Sequence, residues 1–232
     1  LAVVGLVQDG RLAGDFRTVI ESQQDGLAQT MADHLGEKLE THLTVLEHSA
    51  SLLTPEVLEA PQRLQEVLAR HIAARQLFDR LAVIDVRGWV VANEPPLPLG
   101  TPVRVGDREH FTRVMATGRS VISRPVQSRL GAGPVIVMAT PVLDADRKII
   151  AVLAGGLDLQ RTSVLGLLSQ APVGRTGHFE VVTLGPDPIY VLHPDPALLL
   201  QPAQGIPPDT RDVVTRKNIA RADWELRVVL PA

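Results

Sequence analysis

The chain has 232 residues, of which 45 % are hydrophobic and 21 % are charged, a balance typical of a folded globular protein. Lys and Arg total 23 against 26 Asp and Glu, and only 3 % of the residues are aromatic. This composition offers neither a basic surface nor stacking platforms for nucleic acid. The absence of cysteine excludes disulfides and thiolate metal sites.

No apolar run approaches the roughly 20 residues that a membrane helix needs. The first residues, "LAVVGL", are too short to span a bilayer and lack the basic flank of a signal peptide. We interpret them as the end of a membrane helix that lies outside the sequence.

Residues 11 to about 78 have the apolar spacing of helix. Steps of three and four predict a first helix with one apolar stripe, made of Leu27, Met31, Leu35, Leu39, Leu43, Leu46, Ala50 and Leu53. A stripe longer than 25 residues favours an exposed helix or one that pairs with its own copy, so we take it as a possible homodimer seam. Thr54-Pro55 and Ala60-Pro61 interrupt the pattern, and Pro61 suits the first turn of another helix. That helix is expected to bury Leu64, Val67, Leu68, His71 and Ile72.

From Leu81 onwards the pattern indicates β-strands. Val86-Arg87-Gly88 predicts the turn of one hairpin, and Asp144-Ala145-Asp146-Arg147 the turn of a longer one. Between them a helix is predicted, with Asp107 as its N-cap and Gly118 as its C-terminal stop. Residues 159–170 are predicted to be helical, and a smaller β-rich unit is predicted to follow Ala171-Pro172.

Catalytic and metal-binding patterns are weak throughout the sequence. The histidines of the first helix are eight and six residues apart, whereas two ligands on one helix face need a spacing of three or four. Neither HExxH nor GxSxG occurs. We therefore predict no catalytic residue, no metal site and no cofactor.

The segment "GDREHF", residues 106–111, has two interpretations. It is either only the start of a capped helix, with Phe111 packed inward, or a clamp for an anion. Arg108 favours the clamp, because a cation at a helix N-terminus opposes the helix dipole unless it points at an anion.

Five segments, in order, resemble the double Cache sensor domains, which are PAS-like extracytoplasmic modules of bacterial chemoreceptors, sensor histidine kinases and diguanylate cyclases. The segments are "VGDREHF", "TGRSVISRPVQSRLGAGPVIVMATPV", "LDADRKIIAVLAGGLDL", "VGRTGHFEVV" and "HPDP". The resemblance covers roughly residues 27–230. It implies an α+β fold with a long N-terminal helix followed by two antiparallel-sheet domains: a helical region at 1–69, a membrane-distal ligand-binding domain at 70–171 and a smaller membrane-proximal domain at 172–232.

The resemblance also implies roles for individual residues. Arg108 would bind a ligand carboxylate, His110 and Phe111 would line the lid, and Asp158 matches an acid that holds an amino group. Val126 and Ser128 stand where amino-acid-binding members carry Tyr and Asp, so we expect a small carboxylate or other anion rather than an α-amino acid.

Other positions keep two interpretations each. Met138 is included among the ligand contacts, although it and Trp89 are also typical core residues. Asp158 could instead cap a helix starting at Leu159. His193 is expected to end a strand by bonding to local backbone.

The expected function is therefore that of the periplasmic sensing part of an inner-membrane receptor, not of an enzyme, although the whole protein could carry a kinase or cyclase domain. Its flanking membrane helices would lie outside this sequence. The alternatives are a PAS-like structural or protein-binding module with a collapsed pocket, in which Arg108 pairs with Glu109 or Asp158, and a soluble enzyme centred on Arg108 and His110.

Overall fold

A computed structural model describes residues 2–98, 102–131, 133–161, 165, 168, 173–205 and 212–231, with side chains described from residue 22 onwards. The chain divides into two compact units, one formed by Leu1–Gly36 with Leu167–Ala232 and the other by Glu37–Gly166. Both contain an antiparallel sheet, and the prediction of an α+β fold with a long N-terminal helix is confirmed.

The N-terminal region is helical, as predicted, but it has four helices: α1 (Ala2–Ser51), α2 (Pro55–Leu58), α3 (Pro61–Arg70) and α4 (Ile72–Leu77). Pro61 occupies the first turn of α3. Leu64 and Leu68 are buried, whereas the expected burial of Ile72 is wrong because its side chain is 67 % exposed. The backbone leaves helical geometry at His71, and this break shifts the buried face of α4 to Ala74.

The buried stripe of α1 differs from the predicted one at its N-terminal end. Leu27 is 36 % exposed, while Ala28 and Ala32 are buried. Further along the helix, Ala220 approaches α1 so closely that a Cβ at Gly36 would lie 3.2 Å from the Ala220 Cβ.

The rest of the predicted stripe is buried inside the chain itself. Leu39, Leu43, Leu46 and Ala50 are at most 6 % exposed. They already have partners in the fold, so the prediction that this stripe forms a homodimer seam is wrong for these positions.

The unit Glu37–Gly166 contains a six-stranded sheet in the order β2-β1-β6-β5-β3, with β4 also paired to β5. The strands are β1 (Arg80–Asp85), β2 (Val90–Glu94), β3 (Val121–Ile122), β4 (Val126–Gln127), β5 (Pro134–Leu143) and β6 (Ile149–Asp158). Both predicted hairpins, β1–β2 and β5–β6, are present.

Each face of this sheet has its own role, because side chains alternate along a strand. On one face Phe78 packs against β6, so that a Cβ at Gly155 would lie 2.5 Å from its ring. The other face carries helix α5 (Glu109–Thr117), whose Phe111 and Val114 join a core with Ile84 and Val152.

Helix α5 ends as predicted but begins differently. Gly118 is its C-cap with φ 63°, a left-handed conformation that glycine adopts readily. The N-cap is Arg108, without a side-chain capping bond, so the prediction that Asp107 caps α5 is wrong. The Asp107 carboxylate instead pairs with Arg129.

The segment predicted as a helix at 159–170 begins with a turn at Leu159 and Gln160 rather than with a helix. Only Leu165 and Leu168 are described beyond Arg161, so most of this prediction lies outside the described residues.

The unit formed by Leu1–Gly36 and Leu167–Ala232 has a four-stranded sheet in the order β8-β7-β10-β9. Its strands are β7 (His178–Thr183), β8 (Tyr190–Leu192), β9 (Val213–Ile219) and β10 (Trp224–Leu230), with a 3₁₀ turn at Pro196–Leu198. Phe179, Val181, Leu226 and Val228 form a buried apolar face. On that side Lys217 Nζ lies 2.8 Å from Asp25 Oδ1 of α1.

None of the helices described in the structure combines the length and the apolar character needed to cross a membrane.

Candidate functional site

A cavity of about 370 Å³ opens on the α5 face of the six-stranded sheet. This volume falls in the range of small-molecule sites. Its walls come from β1, β5 and β6, the start of α5, and the segment that contains β4.

The floor of the cavity is apolar and built from small side chains. Ala82, Ala154 and Gly156 lie on adjacent strands, with Val135 and Val137 beside them. A Cβ at Gly156 would have no neighbour closer than 3.9 Å, so the missing side chain there is part of the open space.

Arg108 lines the cavity at the N-terminus of α5. Its Nη2 donates a hydrogen bond to the Gln127 carbonyl oxygen at 3.2 Å, which holds the guanidinium beside β4. Among the described residues, no carboxylate forms an ion pair with it. A cation fixed in this way can bind the carboxylate of a ligand in two-pronged geometry.

Arg129 also lines the cavity, but its charge is already balanced. Both of its terminal nitrogens bond to Asp107, at 2.5 and 2.7 Å. These bonds hold the pKa of the Asp107 carboxyl well below its usual value.

His110 is only 6 % exposed and lines the cavity. Burial, followed by the positive charge of Arg108, lowers the pKa of its imidazole to about 4. The ring is therefore neutral at pH 7. Neither of its nitrogens bonds to another residue in the described part of the chain, which leaves both to contact a ligand.

Asp158 lies at the end of β6 and also lines the cavity. Its Oδ1 accepts the Gln160 N–H at 2.9 Å, which shapes the turn, and its Oδ2 lies 3.6 Å from Arg161 Nε. Asp79 faces the same arginine at 3.6 Å. The position of Asp158 is therefore compatible with contact to a ligand and with a local capping role. The element that it would cap is a turn and not the predicted helix.

The cavity carries an excess of positive charge. Arg80, Arg108, Arg129 and Arg161 line it, against Asp79 and Asp158. With the Asp107 partner of Arg129 included, one positive charge remains unbalanced. Because a low-dielectric cleft strengthens this charge, the site favours an anion.

The other predicted contacts divide into two groups. Val126 and Ser128 line the cavity. Phe111 packs from α5 into the core, and Met138 points to the opposite face of β5 from Val135 and Val137, so neither lines the cavity. Trp89 is 39 % exposed, with Arg104 over its ring.

The polar lining residues missed in the sequence include Arg80, Gln160 and Arg161. Arg80 starts β1 on the same face as Ala82, so the alternation of that strand could have identified it. Gln160 and Arg161 belong to the turn that was predicted as helix.

Glu109 does not face the cavity. It pairs with Arg113 at 2.8 Å, and its second oxygen accepts the Arg124 N–H at 3.3 Å. Arg108, Glu109 and His110 therefore do not converge on one substrate.

Solved structures with the same fold are sensor domains. The ligand-binding domain of the Pseudomonas fluorescens chemoreceptor CtaA, in complex with L-isoleucine, has a TM-score of 0.72 at 16 % identity and covers 94 % of each chain. The ligand-binding domain of the Pseudomonas aeruginosa amino acid chemoreceptor PctB, in complex with L-Arg, has a TM-score of 0.72 at 16 % identity. The likeness covers 91 % of this chain and 94 % of its own. The ligand-binding domain of PctC from the same organism, in complex with GABA, has a TM-score of 0.69 at 19 % identity. The likeness covers 90 % of this chain and 99 % of its own.

These likenesses establish the class of fold: the chain has the long-helix, two-sheet fold of double Cache sensor domains, as the sequence resemblance implied.

No family model matches the sequence. Among curated proteins, the chain is similar to sporulation kinase D of Bacillus subtilis, with 27 % identity over 109 residues. The matched segment is 47 % of this chain but only 21 % of the kinase.

Proposed function

We propose that this chain is the extracytoplasmic ligand-sensing part of a bacterial transmembrane receptor. It binds a small carboxylate or similar anion in the cavity of the unit Glu37–Gly166. The observation that carries this proposal is the Arg108 guanidinium in that cavity, which has no carboxylate partner among the described residues, beside the neutral His110, which forms no hydrogen bond within them.

Arg108 acts as the clamp for the carboxylate in this proposal, and His110 contributes a neutral hydrogen-bonding group beside it. Val126, Ser128 and Asp158 complete the ligand contacts. Phe111 and Met138 support the site from the core without touching the ligand.

The ligand class follows from charge. The chemoreceptor structures hold L-isoleucine, L-Arg and GABA, each with a carboxylate and an amino group. In this chain the acid on the amine side, Asp158, already faces Arg161, and one positive charge is in excess. A carboxylate without an amino group suits this arrangement better than a zwitterion.

The collapsed-pocket alternative requires Arg108 to pair with Glu109 or Asp158. Glu109 pairs with Arg113, and Asp158 lies beside Arg161. Both the open cavity and these pairings favour ligand binding. The enzyme alternative loses support because Glu109 lies outside the cavity.

We further propose that residues 1–69 form the signalling helix region, 70–171 the ligand-binding domain and 172–232 the smaller membrane-proximal domain of a periplasmic sensor. Binding would then shift the receptor toward one conformation and act on a cytoplasmic output domain, by no more than the ligand's preference between conformations. The similarity to sporulation kinase D supports a kinase output. A homodimer through the N-terminal helix would use the face that carries the exposed Leu27, and light scattering of the chain tests for it.

The test is a thermal-shift screen of small carboxylates, amino acids, amines and purines on the wild-type chain and on Arg108→Ala. A ligand at 100 times its Kd stabilises the fold by about 2.7 kcal/mol, which raises Tm by roughly 5–10 °C for a chain of this size. Loss of the charge-assisted bonds of Arg108 costs about 1.5–3 kcal/mol, or roughly 10–150-fold in Kd.

Arg119→Ala is the matched control, because Arg119 is exposed just after α5 and does not line the cavity. We expect a carboxylate to stabilise the wild type and Arg119→Ala strongly and Arg108→Ala weakly. A screen in which amines alone stabilise the wild type would overturn the proposed ligand class.

A further inference from the structure

The four-stranded sheet carries a cluster of potential metal ligands that the proposed sensing site does not use. His178 and Glu180 lie two residues apart on β7, so their side chains point to the same face. His193 follows the end of β8, which pairs with β7. All three residues belong to one compact unit.

The ligand atoms of the cluster lie close together. Nε2 of His178 lies 3.3 Å from Glu180 Oε1, Nε2 of His193 lies 3.5 Å from the same oxygen, and all three atoms are within 4.8 Å of one another. Bonds of about 2.0–2.2 Å to a tetrahedral ion put neighbouring ligand atoms roughly 3.3–3.5 Å apart. The two distances to Glu180 match this spacing.

The charge around Glu180 favours a cation at this point. Glu180 is 8 % exposed, and its nearest arginine nitrogen, Nη1 of Arg227, is 3.9 Å from Oε2. Arg227 bonds more closely to Glu225, through Nε at 2.8 Å. Because Arg227 pairs more closely with Glu225, the Glu180 carboxylate faces the two imidazoles without a closely bonded arginine among the described residues.

We propose that His178, Glu180 and His193 bind a divalent transition-metal ion such as Zn²⁺. Two imidazoles and one carboxylate are a donor set that suits zinc, and they leave the fourth tetrahedral position open to water or to an exogenous ligand. The helix-based spacing rules applied to the sequence could not find this set, because its members come from a strand and from the loop after a neighbouring strand.

Binding has a structural consequence at His193. Its Nδ1 accepts the Asp195 N–H at 2.9 Å, so the neutral ring carries its proton on Nε2. An ion bound at Nε2 moves that proton to Nδ1, where it faces the Asp195 N–H. The hydrogen bond to Asp195 must therefore break, and the backbone signal of Asp195 reports directly on the ion.

The experiment uses tag-free chain stripped of metal with a chelator. Zn²⁺ is titrated calorimetrically, Co²⁺ is followed by its visible absorption, and the amide resonance of Asp195 is recorded before and after Zn²⁺ addition. We expect one ion per chain, a four-coordinate Co²⁺ spectrum that Zn²⁺ abolishes, and a large shift of the Asp195 amide.

Variants assign the site. His178→Ala and His193→Ala should each weaken Zn²⁺ binding by at least the roughly 10–100-fold that changes around metal ligands cause. His34→Ala, an exposed histidine of α1, is the matched control and should bind as the wild type does. Arg108→Ala should also bind as the wild type does, which separates this proposal from the sensing site.

Two outcomes would overturn the proposal. One is a wild-type chain that binds Zn²⁺ no more tightly than His178→Ala does. The other is an Asp195 amide that stays in place at saturating Zn²⁺. The wild-type Co²⁺ spectrum and the Asp195 amide shift test the proposal even where a variant fails to fold.

Discussion

The two sheets of the molecule treat buried polar groups in opposite ways. Above the six-stranded sheet, Arg108 has no carboxylate partner and His110 has no hydrogen bond among the described residues, and a cavity of about 370 Å³ stays open beside them. On the four-stranded sheet, Glu180, Glu225 and Arg227 contact one another or the neighbouring histidines.

The difference teaches how the sign of the charge left over in a polar cluster indicates the kind of ligand that the cluster can bind. Leaving a buried polar group unpaired costs free energy, so such groups indicate a partner from outside the chain. Above the larger sheet the partner that we propose is an anion. On the smaller sheet the partner that we propose is a single cation beside the Glu180 carboxylate.

The largest expected effects come from substitutions at two neighbouring glycines of β6, Gly155 and Gly156, which lie on opposite faces of the larger sheet. Gly156→Leu fills the cavity and should abolish ligand-induced stabilisation in the thermal-shift assay, while the chain stays folded. A variant that still responds fully to the ligand would exclude this cavity as the site.

Gly155→Ala is the opposite case. Its Cβ would overlap the buried Phe78 ring at 2.5 Å. Such overpacking costs about 1–3 kcal/mol, which lowers Tm by roughly 2–12 °C. Gly156→Ala, with its Cβ in open space, is the matched control and should melt close to the wild type. Equal melting temperatures for the two alanine variants would contradict the assignment of faces.

His110 predicts a pH dependence of stability. Its folded-state pKa of about 4 lies below the ordinary value of 6.5, so the unfolded chain takes up a proton at a higher pH than the folded chain does. Stability is therefore full above pH 6.5 and falls as the pH drops toward 4, by about 2 kcal/mol between pH 7.5 and 5 for this residue.

Urea unfolding at both pH values measures this loss. His42 and His71 also have lowered pKa values and contribute in the same direction, so the wild-type loss includes all three residues. His110→Gln should lose about 2 kcal/mol less than the wild type over this interval, and His34→Gln, at an exposed position, should lose as much as the wild type. Identical losses in all three proteins would show that His110 is not buried as a neutral ring.

Ser128 gives a smaller effect. Ser128→Asp adds a negative charge to the lining and cancels the excess positive charge of the cavity. We expect the affinity for a carboxylate to fall roughly tenfold, about 1.4 kcal/mol, in a calorimetric titration. Ser128→Asn, of similar size but neutral, should bind within about threefold of the wild type. Tighter carboxylate binding by Ser128→Asp would contradict the anion preference.

Local signals in the sequence were enough to predict much of the fold. The predictions were correct at Pro61, at Gly118 and at the turn Asp144–Arg147. Each of these signals determines the backbone of only a few neighbouring residues. Asp107 was misassigned because its partner, Arg129, is 22 residues away and no local rule connects the two.

The candidate site was harder to predict because it depends on sheet register. Met138 and Val137 are adjacent in sequence, yet only Val137 lines the cavity, and a shift of one residue exchanges the two. The grouping of His178 with His193 depends on the pairing of β7 with β8, which the spacing of histidines does not encode.

The most direct test of the central claim is a crystal structure of the chain with the carboxylate that stabilises it most in the thermal-shift screen. We expect the ligand in the cavity above Gly156, with its carboxylate oxygens within hydrogen-bonding distance, about 2.7–3.2 Å, of the Arg108 guanidinium. A ligand bound outside this cavity, or one whose carboxylate contacts other residues while Arg108 remains on the Gln127 carbonyl alone, would contradict the account.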